Sequence, residues 1–287
     1  MVFLTLWFTA AAGALPAPVL VQPAERADWQ LHGSAFYCRM QQEVRGFGQV
    51  SFLVEPGYSL RLELELIQPH QALTEASVMA RPADWQQRIV ATSSYPYSAE
   101  LYHDRQVSFI AAALPLLQQI QSGHWLEFEL GAPGQVQPLL LTSVRGAEAV
   151  AQFRRCIAQM APLSWQQARD SDIPFEAGQR TLTRPQLAQL AQLVRYLQFD
   201  PSVHKILIDG HSDDVGTSLA NRLVSKERAD EVAAQLIELG VKAAMLEVRA
   251  HGNRYPLLHH QGASGATNSR VTVRLIRAGT EQEVTTR

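Results

Sequence analysis

Leu60, Leu62, Leu64 and Leu66 alternate with Arg61, Glu63 and Glu65. This period of two predicts a strand with one apolar face and one wet face. Shorter runs at Gln49 to Val54, His124 to Leu130 and Pro138 to Val144 repeat the pattern, and turn signals such as Glu55-Pro56-Gly57 and Gly131-Ala132-Pro133-Gly134 separate them. One helical stretch, Ala147 to Met160, places Val150, Phe153 and Ile157 on a single side. The span from about Trp29 to Pro162 therefore reads as a β-rich domain, a sandwich or partly closed barrel with a few helices.

The periodicity breaks over residues 163–173, where Pro162, Asp170, Asp172 and Pro174 suggest a linker, and then strand and helix alternate. A strand near Ile173 to Phe175 precedes a helix that Thr183 can cap, with Pro185 in its first turn and Leu187, Leu190, Val194 and Leu197 as its apolar face. Lys205 to Asp209 is a second strand. The next helix, starting around Asn221 to Ser225, buries Ala229, Val232, Ala233 and Leu236, and Gly240 stands where a left-handed C-cap is wanted. Strands at Met245 to Ala250 and Val271 to Ile276 complete a β-α-β-α-β-β order. The expected division is a β-rich docking domain over 24–162, an α+β domain of two helices on one face of a mixed sheet over 174–280, and a tail over 281–287.

The first residues look like an export signal, expected to end near residue 17. Val2 to Ala12 is a compact apolar run, shorter than the roughly 20 residues that span a bilayer, and Ala12-Gly13-Ala14 has the small-x-small form of a cleavage site. A positive segment before that run is absent from this sequence. Export makes a disulfide plausible for the two cysteines, Cys38 and Cys156; the alternative is two buried thiols that never meet. The chain carries 25 basic and 27 acidic residues without a long run of one sign. Nucleic acid is thereby a poor partner, because neutralising phosphates needs clustered Lys and Arg.

The candidate chemistry lies between Ile206 and Leu275. A strand runs into Gly210-His211-Ser212-Asp213, Asn221, Ser225, Arg228 and Ala229 follow on a helix, and Asn268-Ser269-Arg270-Val271 opens the last strand. Taken singly, Asp213 could cap a turn and Arg228 could be a solvated helix residue. In this register they resemble the OmpA-like peptidoglycan-binding family, whose Asp and Arg at these positions clamp a diaminopimelate residue of the wall peptide. That ligand presents an ammonium and a carboxylate on one carbon. A carboxylate can receive the first, and a forked guanidinium receives the second in two parallel hydrogen bonds, which a lysine cannot match. The resemblance implies a binding set of Asp213 and Arg228, with Ser212, Asn268 and Arg270 beside them. Truncating Asp213 or Arg228 to Ala is then expected to weaken wall binding with little effect on folding.

The chain departs from that family's pattern at Ala250, at Gly265 and at Ser269, where the family has Gly, Arg and Arg, so neighbouring polar groups are expected to be lost. Further upstream, the order Trp29-Gln30-Leu31, Cys38, Gly48, Phe52, Arg81-Pro82-Ala83-Asp84-Trp85, Gly123-His124-Trp125-Leu126-Glu127-Phe128 and Phe153-Arg154-Arg155-Cys156 resembles the MotY family of sodium-driven flagellar motors. This second resemblance implies periplasmic location at the outer-membrane side of the basal body, docking of the first domain in the T ring, ring oligomers, and support of stator assembly.

No cofactor, metal or catalytic residue is expected. His251, His259 and His260 sit in a Gly- and Ser-rich stretch without zinc-ligand spacing, which predicts solvated loop histidines, and His211 has no nucleophile elbow near it. The rival readings are a general envelope anchor with a non-flagellar partner and, less favoured, a peptidoglycan hydrolase.

Overall fold

The computed structural model describes residues 19–21, 23–67, 73, 75–86, 95–103, 105–132, 135–213, 216–255 and 268–278. The expected signal segment, His259, His260, Gly265 and the tail lie outside these. The chain divides into two compact units, the first Met1–Val54 with Ser59–Ala158 and the second Gln159–Arg287 with the short segment Glu55–Tyr58.

The first unit contains the strands β1 (Leu20–Val21), β2 (Gln30–Ser34), β3 (Tyr37–Val44), β4 (Gly48–Val54), β5 (Arg61–Leu66), β6 (Glu75–Arg81), β7 (Tyr97–Ser98), β8 (Leu101–His103), β9 (Gln106–Phe109), β10 (Trp125–Ala132) and β11 (Gln135–Leu141). Its helices are α1 (Ala113–Gln121) and α2 (Gly146–Ala158). Two open sheets result, ordered β2-β3-β4-β5-β9-β8 and β1-β11-β10-β6-β7, and neither closes into a barrel. Cross-strand pairing lines up Met40, Phe52, Leu62 and Phe109 in the first sheet and Val78, Phe128 and Leu139 in the second, all fully buried. Phe109 meets Phe128 edge-on at 6.0 Å, so the two apolar rows share one core.

The leucine period is observed as expected, but its other face is not uniformly wet. Glu63 is buried, lies between Ser51 and Ser108 in the sheet, and accepts a 3.0 Å hydrogen bond from Arg61 Nε. Helix α2 buries Val150 and Phe153 and carries Cys156 into a disulfide with Cys38 on β3, across 118 residues of sequence.

Where a linker was expected, residues 163–173 hold α3 (Trp165–Arg169) and most of β12 (Asp170–Pro174). A reciprocal capping box between Ser164 and Gln167 starts α3, which is a stop-and-start signal that Pro162 had masked. The second unit continues with α4 (Arg184–Leu197), β13 (Val203–His211), α5 (Ser218–Glu238), β14 (Leu246–Gly252) and β15 (Arg270–Arg277). Its mixed sheet is ordered β12-β15-β13-β14, with only β13 and β14 parallel.

Thr183 and Gln186 form the expected cap of α4. The buried stripe is Gln186, Leu190, Leu193 and Tyr196, rotated from the one predicted, because Tyr196 needs a polar partner inside and finds Asp200 Oδ2 at 2.7 Å. Burial together with that hydrogen bond pushes the Tyr196 phenol up to about 12. Helix α5 begins at the Thr217 cap, earlier than expected, buries Ala229, Val232, Ala233 and Leu236, and ends before Gly240, whose φ is 101°.

Candidate binding site

Register in the second unit separates two sheet faces. Ile206, Ile208 and Gly210 on β13 pair with Leu275, Val273 and Val271 on β15, and this apolar face lies under α5. Asp209 and His211 pair with Thr272 and Arg270 on the face turned away from α5. Asp213 follows the end of β13 and Ser269 precedes the start of β15, so both sit at one end of the sheet, where Arg228 arrives from α5.

Arg228 is 4% exposed. A solvated helix residue would not be, and its guanidinium is held on three sides. Nε donates to the Gln179 carbonyl at 3.0 Å, Nη2 to the Glu176 carbonyl at 3.0 Å, and Nη1 to Ser269 Oγ at 3.0 Å. Phe175 lies beneath it, 5.2 Å from the guanidinium carbon to the ring centre. Burial pulls the guanidinium below the usual arginine range, and the Asp213 carboxylate opposes that by stabilising the charged form. A guanidinium carries five N–H donors. Two, one on each terminal nitrogen, remain for an incoming carboxylate.

Asp213 faces the same hydroxyl. Ser269 Oγ donates to Asp213 Oδ2 at 2.7 Å, Ser269 N donates to Asp213 Oδ1 at 3.0 Å, and Asp213 N donates to Ser269 Oγ at 3.3 Å. The expectation that Ser269 removes polar groups from the site is therefore incorrect. Its hydroxyl is the atom through which the predicted pair is joined, because among the described residues no direct hydrogen bond or ion pair links Asp213 to Arg228.

The remaining predicted residues are placed differently. Ser212 is buried, and its amide donates to the Gly252 carbonyl at 2.8 Å, while its hydroxyl has no hydrogen-bond partner among the described residues. Asn268 offers its carbonyl to Arg270 Nη1 at 3.3 Å. Arg270 lies on the polar sheet face opposite His211, with Nε 3.8 Å from Asp172 Oδ1, too far for a hydrogen bond. The structure thus brings Asp213, Arg228 and Ser269 together and leaves Arg270 outside that contact set.

His251 is not a solvated loop histidine. It lies in β14, its Nε2 is 2.7 Å from Asp209 Oδ1, its ring stacks on His211 at 4.9 Å, and Tyr255 meets it edge-on at 5.7 Å. Arg249 binds both Asp209 oxygens at 2.6 Å. Burial of Asp209 is outweighed by these bonds from Arg249 and His251, which hold its carboxyl below the usual range. Burial, then the charge of Arg270, lowers His211. Sequence reasoning missed Phe175, Glu176 and Gln179. Two of these act through backbone carbonyls, for which side-chain identity carries no signal.

The profile of the MotY N-terminal domain matches residues 21–162, and that of the OmpA family matches residues 174–270. The chain joins a MotY N-terminal domain to an OmpA family domain. It is 20% identical over 259 residues to the sodium-type flagellar protein MotY of Vibrio parahaemolyticus, with 88% of each chain covered. The chain is also similar to the outer-membrane lipoprotein YfiB of Pseudomonas aeruginosa, 27% identical over 124 residues, covering 43% of this chain and 73% of that one. Among solved structures, the peptidoglycan-associated lipoprotein of Burkholderia pseudomallei is 33% identical with a TM-score of 0.33, covering 37% of this chain and 89% of that one. Asp213, Arg228 and Ser269 all fall inside the OmpA match. Cys38 and Cys156 fall inside the MotY match, and the bridge between them joins β3 to α2 within that domain.

Proposed function

We propose that this chain is a non-catalytic periplasmic anchor of a flagellar motor, holding peptidoglycan through its OmpA domain and docking on the basal body through its MotY domain. The observation that carries this reading is the pairing of those two domains in one chain with homology to MotY along 88% of its length. Asp213 and Arg228 supply the carboxylate and the half-free guanidinium that a diaminopimelate stem peptide would require. Among the described residues no helix is long and apolar enough to cross a membrane. A fixed part of a rotary motor transmits reaction force to the wall, and many weak clamps in a ring hold more strongly than one because linked sites raise effective concentration. The first domain is assigned to the T ring, where the assembled ring supports stator units.

Two experiments test this. Purified sacculi should sediment the intact protein and release Asp213→Asn, and a deletion strain should build flagella yet fail to swim until the intact chain is restored. Sedimentation of Asp213→Asn equal to that of the intact chain would defeat the clamp. Normal swimming after deletion would defeat the motor role and leave a wall anchor with another partner.

A further inference from the structure

Ser269 stands at a position that the OmpA resemblance fills with arginine, and its surroundings give it a definite task. A serine hydroxyl has one donor and two acceptor sites. Here the donor goes to Asp213 Oδ2 at 2.7 Å, and the acceptors take Arg228 Nη1 at 3.0 Å and Asp213 N at 3.3 Å. The hydroxyl is thus saturated, its one donor and both acceptor sites being taken within the protein. It is also the spacer between two opposite charges. Without it, a buried guanidinium lacking any carboxylate in ion-pair contact among the described residues would draw Asp213 onto itself, and the pair would satisfy each other instead of a ligand.

We propose that Ser269 is a positioning residue that keeps Asp213 and Arg228 apart, so that the pair accepts an ammonium and a carboxylate borne on one carbon. The inference rests on the clamp reading above and deepens it. The ring of Phe175 below the guanidinium, and the Glu176 and Gln179 carbonyls, fix Arg228 from the other side. With the hydroxyl removed, the Asp213 carboxylate would keep, among the described residues, only the 3.0 Å bond from the Ser269 backbone amide to Oδ1, and Asp213 is therefore the partner whose Oδ2 can turn toward Arg228.

The test uses the intact disulfide-bonded chain and two probes, the diaminopimelate stem tripeptide with its free side-chain amino-acid end and the same peptide with that carboxylate amidated. Affinities are measured by calorimetry for the intact chain, Ser269→Ala, Asp213→Asn and the double variant, with unfolding midpoints recorded for each. The intact chain should prefer the free acid. Ser269→Ala should lose about tenfold or more in affinity for the free acid, which uses both members of the pair, and less for the amide, which uses only Asp213, so the preference collapses. In the Asp213→Asn background the same substitution should have almost no further effect.

An unchanged preference in Ser269→Ala would overturn the proposal, as would an equal loss for both peptides, which marks a merely structural role. Absence of any preference in the intact chain, with Asp213→Asn binding as tightly, would instead defeat the clamp itself. The two failures are thereby separable.

Discussion

Gly210 and Ser225 touch through their backbones. A Cβ built on Gly210 would lie 2.1 Å from the Ser225 carbonyl oxygen of α5 and 3.1 Å from Ala229 Cβ. Ser225 is fully buried, donates through Oγ to the Arg222 carbonyl at 2.9 Å and accepts from the Gly252 amide at 3.1 Å. The missing side chain at 210 therefore sets how closely α5 lies on β13, and through α5 it sets where Arg228 reaches the end of the sheet.

Gly210→Ala is expected to destabilise the OmpA domain by about 3 kcal/mol, because the atom it meets is helix backbone that can yield only by lifting α5. Urea unfolding of the variant beside the intact chain measures this. A loss under about 0.5 kcal/mol would mean that the helix shifts freely.

Arg228→Lys is expected to lower affinity for the stem peptide by about tenfold or more and to cost about 1–3 kcal/mol of stability. A lysine ammonium cannot reach Glu176, Gln179 and Ser269 together in the fork geometry that Arg228 uses. The same contacts revise the expectation that Arg228→Ala folds normally, since two carbonyls and a hydroxyl would lose their donor. Thermal unfolding and calorimetry on one preparation separate the two effects.

Stability of the OmpA domain should fall as pH drops through and below about 6.5. His211 has its pKa lowered in the fold from 6.5, by burial and then by Arg270. The unfolded chain then binds the proton first. The stabilisation is complete above the unfolded value and is lost as pH falls from there to the folded value. The groups facing the ring are His251, Arg270 and Asp209, with the Arg254 carbonyl 3.4 Å from Nδ1. His211→Asn should flatten the unfolding profile between pH 7 and 5. An unaltered slope would assign the pH dependence to another group.

Reduction of the Cys38–Cys156 bridge should destabilise the MotY domain by about 5 kcal/mol in the chain-entropy model, given the 118-residue separation. Paired Cys38→Ser and Cys156→Ser substitutions should lower the melting midpoint in oxidising buffer and abolish its sensitivity to dithiothreitol. Equal midpoints with and without reductant in the intact chain would show the bridge to be energetically silent.

By itself the sequence determined what repeats along the chain. The leucine alternation at 62, 64 and 66, the Thr183 and Gly240 helix signals and the β-α-β-α-β-β order are written in local periodicity, and the proposed Asp213–Arg228 pair is legible only through the register of the OmpA-like resemblance. What only the tertiary structure decided concerns atoms far apart in sequence. Glu63 on the supposed wet face is buried beside Arg61, Tyr196 turns α4 toward Asp200, His251 finds Asp209, and Ser269 joins a carboxylate 56 residues away to a guanidinium 41 residues away. The carbonyls of Glu176 and Gln179 were invisible for a further reason: every residue has one, and only the path of the backbone decides which of them meets Arg228.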